Sequence, residues 1–392
     1  MPSPTLLGQL AALHELLSAL PTRVPEADCY ERFDPALESL AWLLGRAVYL
    51  ETFWLREVVA GDDRLTARVR ALFEPGLGDE APPLPPRDHL LNWALEIQEE
   101  NLLRLANPGA LPPHPLLDDD RLLAFLVQQE ALLYEDMLRV LQARQGRLKH
   151  DDFHPREPLR AATPPIDAAG IEFGHYRLGG DPERPHFDNE LPPQVVELHA
   201  ARIARKPVNN AWYLTFIEAG GYADEACWTD AGRAWRQREQ RVAPAWWRRD
   251  SDGEWYEIGL NGPLDLPPDE PVGGLSRHEA EAFANWLGHH HTEYQGAVLA
   301  HEYQWELATR TQRIEDTGRV LEWCGNDFFA YDGFTPFPDI DERREQFARG
   351  DASLRGSHRH SQKILRRPSL RRHAPADDGR QLAGCRLVFP PE

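Results

Sequence analysis

Apolar positions in the first 150 residues recur every three to four residues, and proline-rich breaks separate the runs. Leu6, Leu7, Leu10, Leu13, Leu16 and Leu17 fall on one stripe, which predicts an amphipathic helix at the N-terminus. A second helix is predicted over 35–59, with Asp34 as N-cap and Pro35 in the first position. Leu37, Leu40, Leu44, Ala47 and Val48 line its apolar face. The stretch EAPPLPPRD (80–88) reads as a stiff connector. A third helix follows from Asp88 to Ala106, ANPGALPPHP (106–115) breaks it, and a fourth is predicted from Asp118 to Arg144. Four amphipathic helices with such joints predict a bundle.

Residues 151–170 are polar and proline-containing, and read as a linker between a domain of residues 1–150 and one of residues 171–392. Beyond it the helical period gives way to short alternating stretches rich in tryptophan and glycine. VVELHAARIAR (195–205) alternates as a strand does. SRHEAEAFANWLG (276–288) predicts a helix opened by a Ser276–Glu279 capping box and closed by Gly288. QWELATR (304–310) predicts a second short helix. Strands and helices do not alternate as βαβ units, and no glycine-rich phosphate loop occurs, so a Rossmann or P-loop reading has no support. The expected class is α+β: a four-helix bundle followed by a domain with little regular structure.

A chain of 392 residues exceeds what one core usually holds, which fits this division. The net charge of −20 opposes binding to nucleic acid or to an anionic membrane surface, so neither is an expected partner. Cys29, Cys227, Cys324 and Cys385 are scattered without a Cys-x-x-Cys pair, which excludes a zinc knuckle or thioredoxin motif and fits reduced thiols in a cytoplasmic protein. The first residues carry no basic region ahead of an apolar run, and no run approaches the ~20 residues needed to span a bilayer.

Several segments share an order seen in a known family. They are FDNELPPQVVEL (187–198), RKPVNNAWYLTFIEAGGY (205–222), PVGGLSRHEAEAFANWL (271–287), HEYQWELATR (301–310), TGRVLEWCGNDFFAYDGFTPFP (317–338) and the closing LRGSHRH, RRPSLRR and AGCRLVF stretches (354–389). With these the C-terminal two-thirds resembles the formylglycine-generating-enzyme (sulfatase-modifying factor)-like fold, which is C-type-lectin-like. The resemblance is to the subfamily fused to a DinB-like helical domain, as in the ergothioneine- and ovothiol-type nonheme-iron sulfoxide synthases. It implies substrate-facing positions in an interdomain cleft, here Trp323 and, near the C-terminus, Arg371, Arg372 and His373, to which the family's Arg-Asn-aromatic stretch is altered.

The resemblance also implies iron(II) held by three histidines, from an early Trp-His-x-x-His helix and a later His-x-x-x-His-x-Glu helix. Histidines four apart share a helix face, and three facial ligands leave positions for thiolate and dioxygen. In AWLLGRAVYLETFWLREVV (41–59) Trp42 is kept, but Leu43 and Arg46 hold the histidine positions. In QQEALLYEDMLRVL (128–141) they fall on Gln129 and Leu133, and Glu135 alone matches. Leucine offers no donor and arginine repels a cation. A slip of one residue offers Glu130 and Tyr134 at the expense of the Glu135 match. The cysteine pair of the family's copper-type members has no counterpart in GSHRHSQKILRR (356–367).

Other histidines are weaker metal candidates. His150 and His154 have helical spacing beside Asp151 and Asp152, and His358 and His360 would share a strand face. His289, His290 and His291 read as a solvated loop. The basic run Arg355, Arg359, Lys363, Arg366, Arg367, Arg371 and Arg372 suits either an anionic ligand or internal pairing with acidic stretches such as DIDERREQ (339–346), and pairing is preferred. Trp212, Trp228, Trp235, Trp246, Trp247 and Trp255 are expected to build core, although such walls also grip betaine cations. Cys324 reads as a packed thiol. Two functions follow as expectations. One is a degenerate relative without the family iron site, which binds a histidine-derived betaine or thiol or serves as the non-catalytic subunit of a catalytic homologue. The alternative is an oxygen-dependent enzyme forming C–S or C–Se bonds with iron(II) at a relocated site.

Overall fold

The computed structural model describes residues 2–74, 83–107, 109–184, 186–337 and 347–391. It divides into two units, Met1–Leu148 and Lys149–Glu392.

The first unit is helical: α1 (Pro4–Ala19), α2 (Glu26–Tyr30), α3 (Leu40–Thr52), α4 (Thr66–Phe73), α5 (Arg87–Ala106) and α6 (Arg121–Arg147). The four long helices α1, α3, α5 and α6 pack on one another as a bundle. Its core includes Leu10, Leu13 and Leu17 of α1, Leu44 and Val48 of α3, and Leu126 and Met137 of α6. Two helix starts differ from expectation. Asp34 accepts from the Ala36 amide and caps only a turn, whereas Ser39 accepts from the Trp42 amide and starts α3. Past Thr52 the chain widens into π-helical register over Phe53–Val59. The last helix begins at Arg121, not Asp118, because Asp119 and Asp120 adopt left-handed backbone. Both Asp120 carboxylate oxygens accept from the Ser3 amide at 3.1 Å, which ties this corner to the start of α1.

The second unit contains β1 (Ala168–Ile171), β2 (Gly174–Leu178), β3 (Gln194–Leu198), β4 (Ala201–Ala204), α7 (Asn210–Glu218), α8 (Asp230–Glu239), β5 (Trp247–Arg249), β6 (Trp255–Gly259) and β7 (Gly262–Leu264). It continues with α9 (Arg277–His290), β8 (Val298–Leu299), α10 (Glu302–Arg310), β9 (Leu321–Asp327), β10 (Ala352–Gly356), β11 (Arg372–Ala374), β12 (Ala383–Cys385) and β13 (Leu387–Phe389). The sheets run β1-β4-β13-β8, β11-β10-β9-β12, β2-β3 and β5-β6-β7. The β9–β12 pair is parallel. Residues 195–205, read as one strand, make two, β3 and β4, in separate sheets.

The Ser276–Glu279 capping box opens α9 as predicted, but Gly288 keeps helical backbone and the helix runs to His290. His289 and His290 therefore end a helix and His291 is its C-cap, which replaces the expected loop. Helix α10 starts at Glu302, earlier than expected, because His301 caps it: its Nδ1 accepts from the Tyr303 amide, and Gln304 reaches back to the His301 amide. The stretch read as a linker packs on the second unit. Leu159 is buried, the Ala162 amide donates to the Ala211 carbonyl, and the Tyr294 hydroxyl donates to the Pro164 carbonyl. Trp212, Trp228, Trp235 and Trp247 lie in the main core cluster with Phe216, Phe283 and Trp286. Trp246 is also buried, while Trp255 is half-buried with Arg249 over its ring at 4.3 Å. Among the described residues no helix is long and apolar enough to cross a membrane.

Helices α3 and α4 meet at Gly45, where an added Cβ would lie 1.9 Å from the Phe73 ring. Phe73 is fully buried and stacks on Trp93 at 5.6 Å, so it has nowhere to retreat. Gly45→Ala is expected to destabilise the chain by at least about 1–3 kcal/mol through overpacking. Gly8→Ala on α1 meets nothing within 4 Å and is expected to stabilise by up to about 1 kcal/mol. Urea unfolding followed by far-UV circular dichroism reads both shifts.

Candidate functional site

Helix α10 carries Glu302 and Glu306 one turn apart, on the face turned toward β9 and β10. Arg371 grips Glu302 with two bonds of 2.9 and 2.8 Å, and donates also to the carbonyls of Asn189 and Phe329. Its guanidinium lies 3.9 Å from the centre of the Tyr331 ring. Arg355 reaches both acids, at 3.1 Å to Glu302 and 2.9 Å to Glu306, and its other amino group donates to the carbonyls of Pro368, Ser369 and Leu370. Burial alone would raise the Glu302 carboxyl, but Arg371 and Arg355 beside it bring it down to about 2. Burial likewise opposes charge on Arg355, yet Glu306 and its neighbours hold the guanidinium above its usual range.

Between these acids Trp305 donates its indole N–H to Glu322 of β9 at 2.9 Å. Glu322 in turn takes two bonds from Arg386, of 2.8 and 2.9 Å. Arg386 completes its donors on the carbonyls of Ala204, Arg205 and Glu315. Within β12, Gly384 lets two backbones touch: a Cβ there would lie 2.2 Å from the Val272 carbonyl oxygen. Arg367 and His186 hold the buried Glu190, whose carboxyl is kept well below its usual range although burial pushes the other way.

The basic run is thus largely turned inward, onto Glu190, Glu302, Glu306 and backbone carbonyls. The acidic stretch 339–346 expected to pair with it lies outside the described residues. Of the positions expected to face substrate, Trp323 is buried and donates to the Leu275 carbonyl at 2.7 Å. Arg371 is committed to Glu302, as described. Arg372 and His373 start β11, and His373 meets Asp351 at 2.7 Å and stacks on Phe328. Cys324 is fully buried, and burial holds its thiol well above the ordinary range.

Because Glu322 and Arg386 are 1 % and 0 % exposed, loss of one partner strands a charge. Glu322→Gln is expected to cost about 3–5 kcal/mol in urea unfolding followed by tryptophan fluorescence. An unchanged midpoint would mean that the carbonyl acceptors alone hold Arg386.

In the helical unit, the residues at the positions expected for iron histidines are placed as follows. Leu43 is buried and aliphatic, Arg46 donates to the Phe73 carbonyl at 2.9 Å, and Gln129 and Leu133 are half-buried. Of the weaker candidates, His154 meets Asp250 at 3.0 Å, with Asp252 close by, and His150 is not part of that cluster. His358 and His360 lie on no strand, and the His360 amide donates to the His358 ring. Among the described residues three groups bring donor atoms within 4.8 Å of one another: His154 with Asp250 and Asp252, Asp224 with Cys227 and His290, and His14 with Glu51 and Glu130.

The last group joins α1, α3 and α6 and is buried throughout. The His14 Nε2 is 2.8 Å from a Glu51 oxygen and 3.4 Å from a Glu130 oxygen. Among the described residues no donor outside the cluster reaches either Glu130 oxygen or the second oxygen of Glu51, and a proton on Glu130 is shared with Glu51. Burial works against charge on His14, yet Glu130 and Glu51 raise the imidazole to about 10. Burial pushes the Glu130 carboxyl up to about 8, with His14 opposing. Sequence reasoning reached Glu130 only through a register slip and missed its partners. A signal existed for His14, which interrupts the apolar stripe of Leu10, Leu13 and Leu17.

Both groups bind their protons more tightly in the folded chain. Their contribution to stability is therefore greatest in acid and is lost as pH rises, for Glu130 between 4.5 and about 8 and for His14 between 6.5 and about 10. With a chelator present, Glu130→Gln is expected to flatten the fall of stability across the lower window and to leave the variant the more stable near pH 8. Thermal melts of the helical signal at stepped pH check this.

A model of the sulfatase-modifying factor enzyme 1-like domain matches residues 160–317. The hercynine oxygenase of Mycolicibacterium thermoresistibile is 32% identical over 311 residues, which cover 76% of this chain and 64% of that protein. The hercynine oxygenase of Mycolicibacterium smegmatis is 30% identical over 331 residues, covering 81% of this chain and 72% of that protein. The structure of PvdO from Pseudomonas aeruginosa aligns over 58% of this chain and 100% of that one, with 13% identity and a TM-score of 0.37. On the sequence match, which spans both units, the chain belongs to the family of the hercynine oxygenases, with the formylglycine-generating-enzyme-like domain in its C-terminal unit.

Proposed function

We propose that this chain is a non-catalytic member of that family, one that keeps the scaffold to bind a small molecule of the hercynine type, a histidine-derived betaine or thiol. What supports this is the residues at the positions expected for the three iron histidines: Leu43 or Arg46 in one helix, Gln129 and Leu133 in the other. An aliphatic pair, an amide and a guanidinium do not assemble a facial iron(II) site. Arg46 supports the reading further, because a guanidinium keeps its charge and would repel a cation at that position. In the second unit the buried Arg–Glu network is intact, which supports a retained scaffold. The protein acts alone or as the binding subunit of a catalytic homologue.

A second reading has one observation in its favour. The His14, Glu51 and Glu130 cluster offers nitrogen and oxygen donors inside the same bundle, which suits an oxygen-dependent enzyme forming C–S or C–Se bonds with a relocated iron(II).

Isothermal titration with hercynine in the presence of a chelator tests the first reading, and anaerobic iron(II) loading followed by oxygen, hercynine and a thiol or selenol substrate tests the second. Metal-independent hercynine binding with no product is expected. Turnover of the iron-loaded chain to a C–S or C–Se product would replace the first reading with the second. No hercynine binding and no turnover would remove both, and would leave the subunit role to be sought by co-purification with a histidine-bearing homologue.

A further inference from the structure

We infer that His14, Glu51 and Glu130 form a binding site for one first-row divalent cation, which fastens α1, α3 and α6 together. Three observations carry it. The first is convergence: one imidazole nitrogen and two carboxylate oxygens, from three separate helices, lie within 4.8 Å of one another. The second is burial. His14, Glu51 and Glu130 are 8 %, 0 % and 2 % exposed, so none of the three is a solvated surface acid. The third is that the acceptors are left over. Among the described residues, both Glu130 oxygens and one Glu51 oxygen are buried and accept no hydrogen bond from outside the cluster, although buried carboxylate oxygens ordinarily recruit donors.

Charge leads to the same place. Once a cation displaces the protons of His14 and Glu130, neutral His14 with two ionised carboxylates sums to two negative charges, which a dication cancels without help from solvent. Among the described residues no guanidinium or ammonium is paired with Glu51 or Glu130, and His14 is the cationic group in contact with them. The donor set is one nitrogen and two carboxylates with no sulfur. That suits manganese(II), iron(II), cobalt(II) or zinc(II) and disfavours copper(I). The other two clusters lack the same support: Asp252 and His290 are solvent-exposed, and among the described residues neither group contains an orphaned buried oxygen.

The site does not depend on whether the chain turns over a substrate, and its test uses no substrate. The full chain, stripped with chelator, is titrated with zinc(II) against a chromophoric competitor, and cobalt(II) is used as the spectroscopic probe. One ion per chain is expected, with a thermal midpoint that rises on loading. Glu130→Gln and His14→Gln are each expected to weaken binding at least about tenfold, since removal of a direct ligand costs no less than removal of the group that orients it. Asp224→Asn and His154→Gln, which disable the other clusters, are expected to leave it unchanged. If His14→Gln fails to fold, the double variant Asp224→Asn/His154→Gln loaded with manganese(II) decides the matter: pulsed EPR should show coupling to a single imidazole nitrogen. The inference is overturned if the stripped chain takes up no stoichiometric ion, if uptake is abolished by Asp224→Asn or His154→Gln, or if the manganese(II) spectrum shows no imidazole nitrogen.

Discussion

The buried pair of Glu322 and Arg386 is the constraint around which the second unit is arranged. Removing both charges from water costs several kcal/mol each, and only a full set of directed hydrogen bonds makes that tolerable. The chain meets the requirement by bringing distant segments to one point. Arg386, between β12 and β13, needs the carbonyls of Ala204, Arg205 and Glu315, and Glu322 needs the Trp305 indole from α10. Once α10 is fixed by Trp305, Glu302 and Glu306 are fixed too, and with them Arg355 and Arg371. Short strands in four small sheets could not define such a fold by backbone pairing alone. Directional side-chain bonds between segments supply what the ladders lack.

This explains which parts of the sequence were legible. The Ser276–Glu279 capping box was readable because it is local, a matter of spacing and donor count within one turn. The collinear Glu-x-x-Trp-Glu, Trp-Glu-Trp-like and Gly-x-Arg stretches were readable as a family pattern, and their roles here are structural: each contributes a member of the buried network or the glycine contact that lets it close. Element ends were less legible. Asp34 and Asp118 are chemically good N-caps, but Asp34 is engaged in its own turn and the two residues after Asp118 turn left-handed. Nothing in the local composition distinguishes a cap from a turn when both need a short acceptor side chain. The meeting of His14, Glu51 and Glu130 was hidden for another reason. The three lie far apart in the chain, and only the packing of three helices shows that one polar position on each faces the others.

The two units solve the same electrostatic problem differently. In the second, the named buried carboxylates Glu190, Glu302, Glu306 and Glu322 are matched by Arg367, Arg355, Arg371 and Arg386, one guanidinium for each acid. Guanidinium remains charged at any pH that leaves the protein folded, so that balance is permanent. In the helical unit two buried carboxylates face one imidazole, and one charge is left over. The deficit is met at neutral pH by a proton on Glu130, which burial makes easy to hold. A proton is a removable counter-charge, and so is a metal ion. That difference separates a fixed frame from an exchangeable site: where arginine neutralises an acid, nothing else can enter, and where only a proton does, a cation of the right size and charge can take its place.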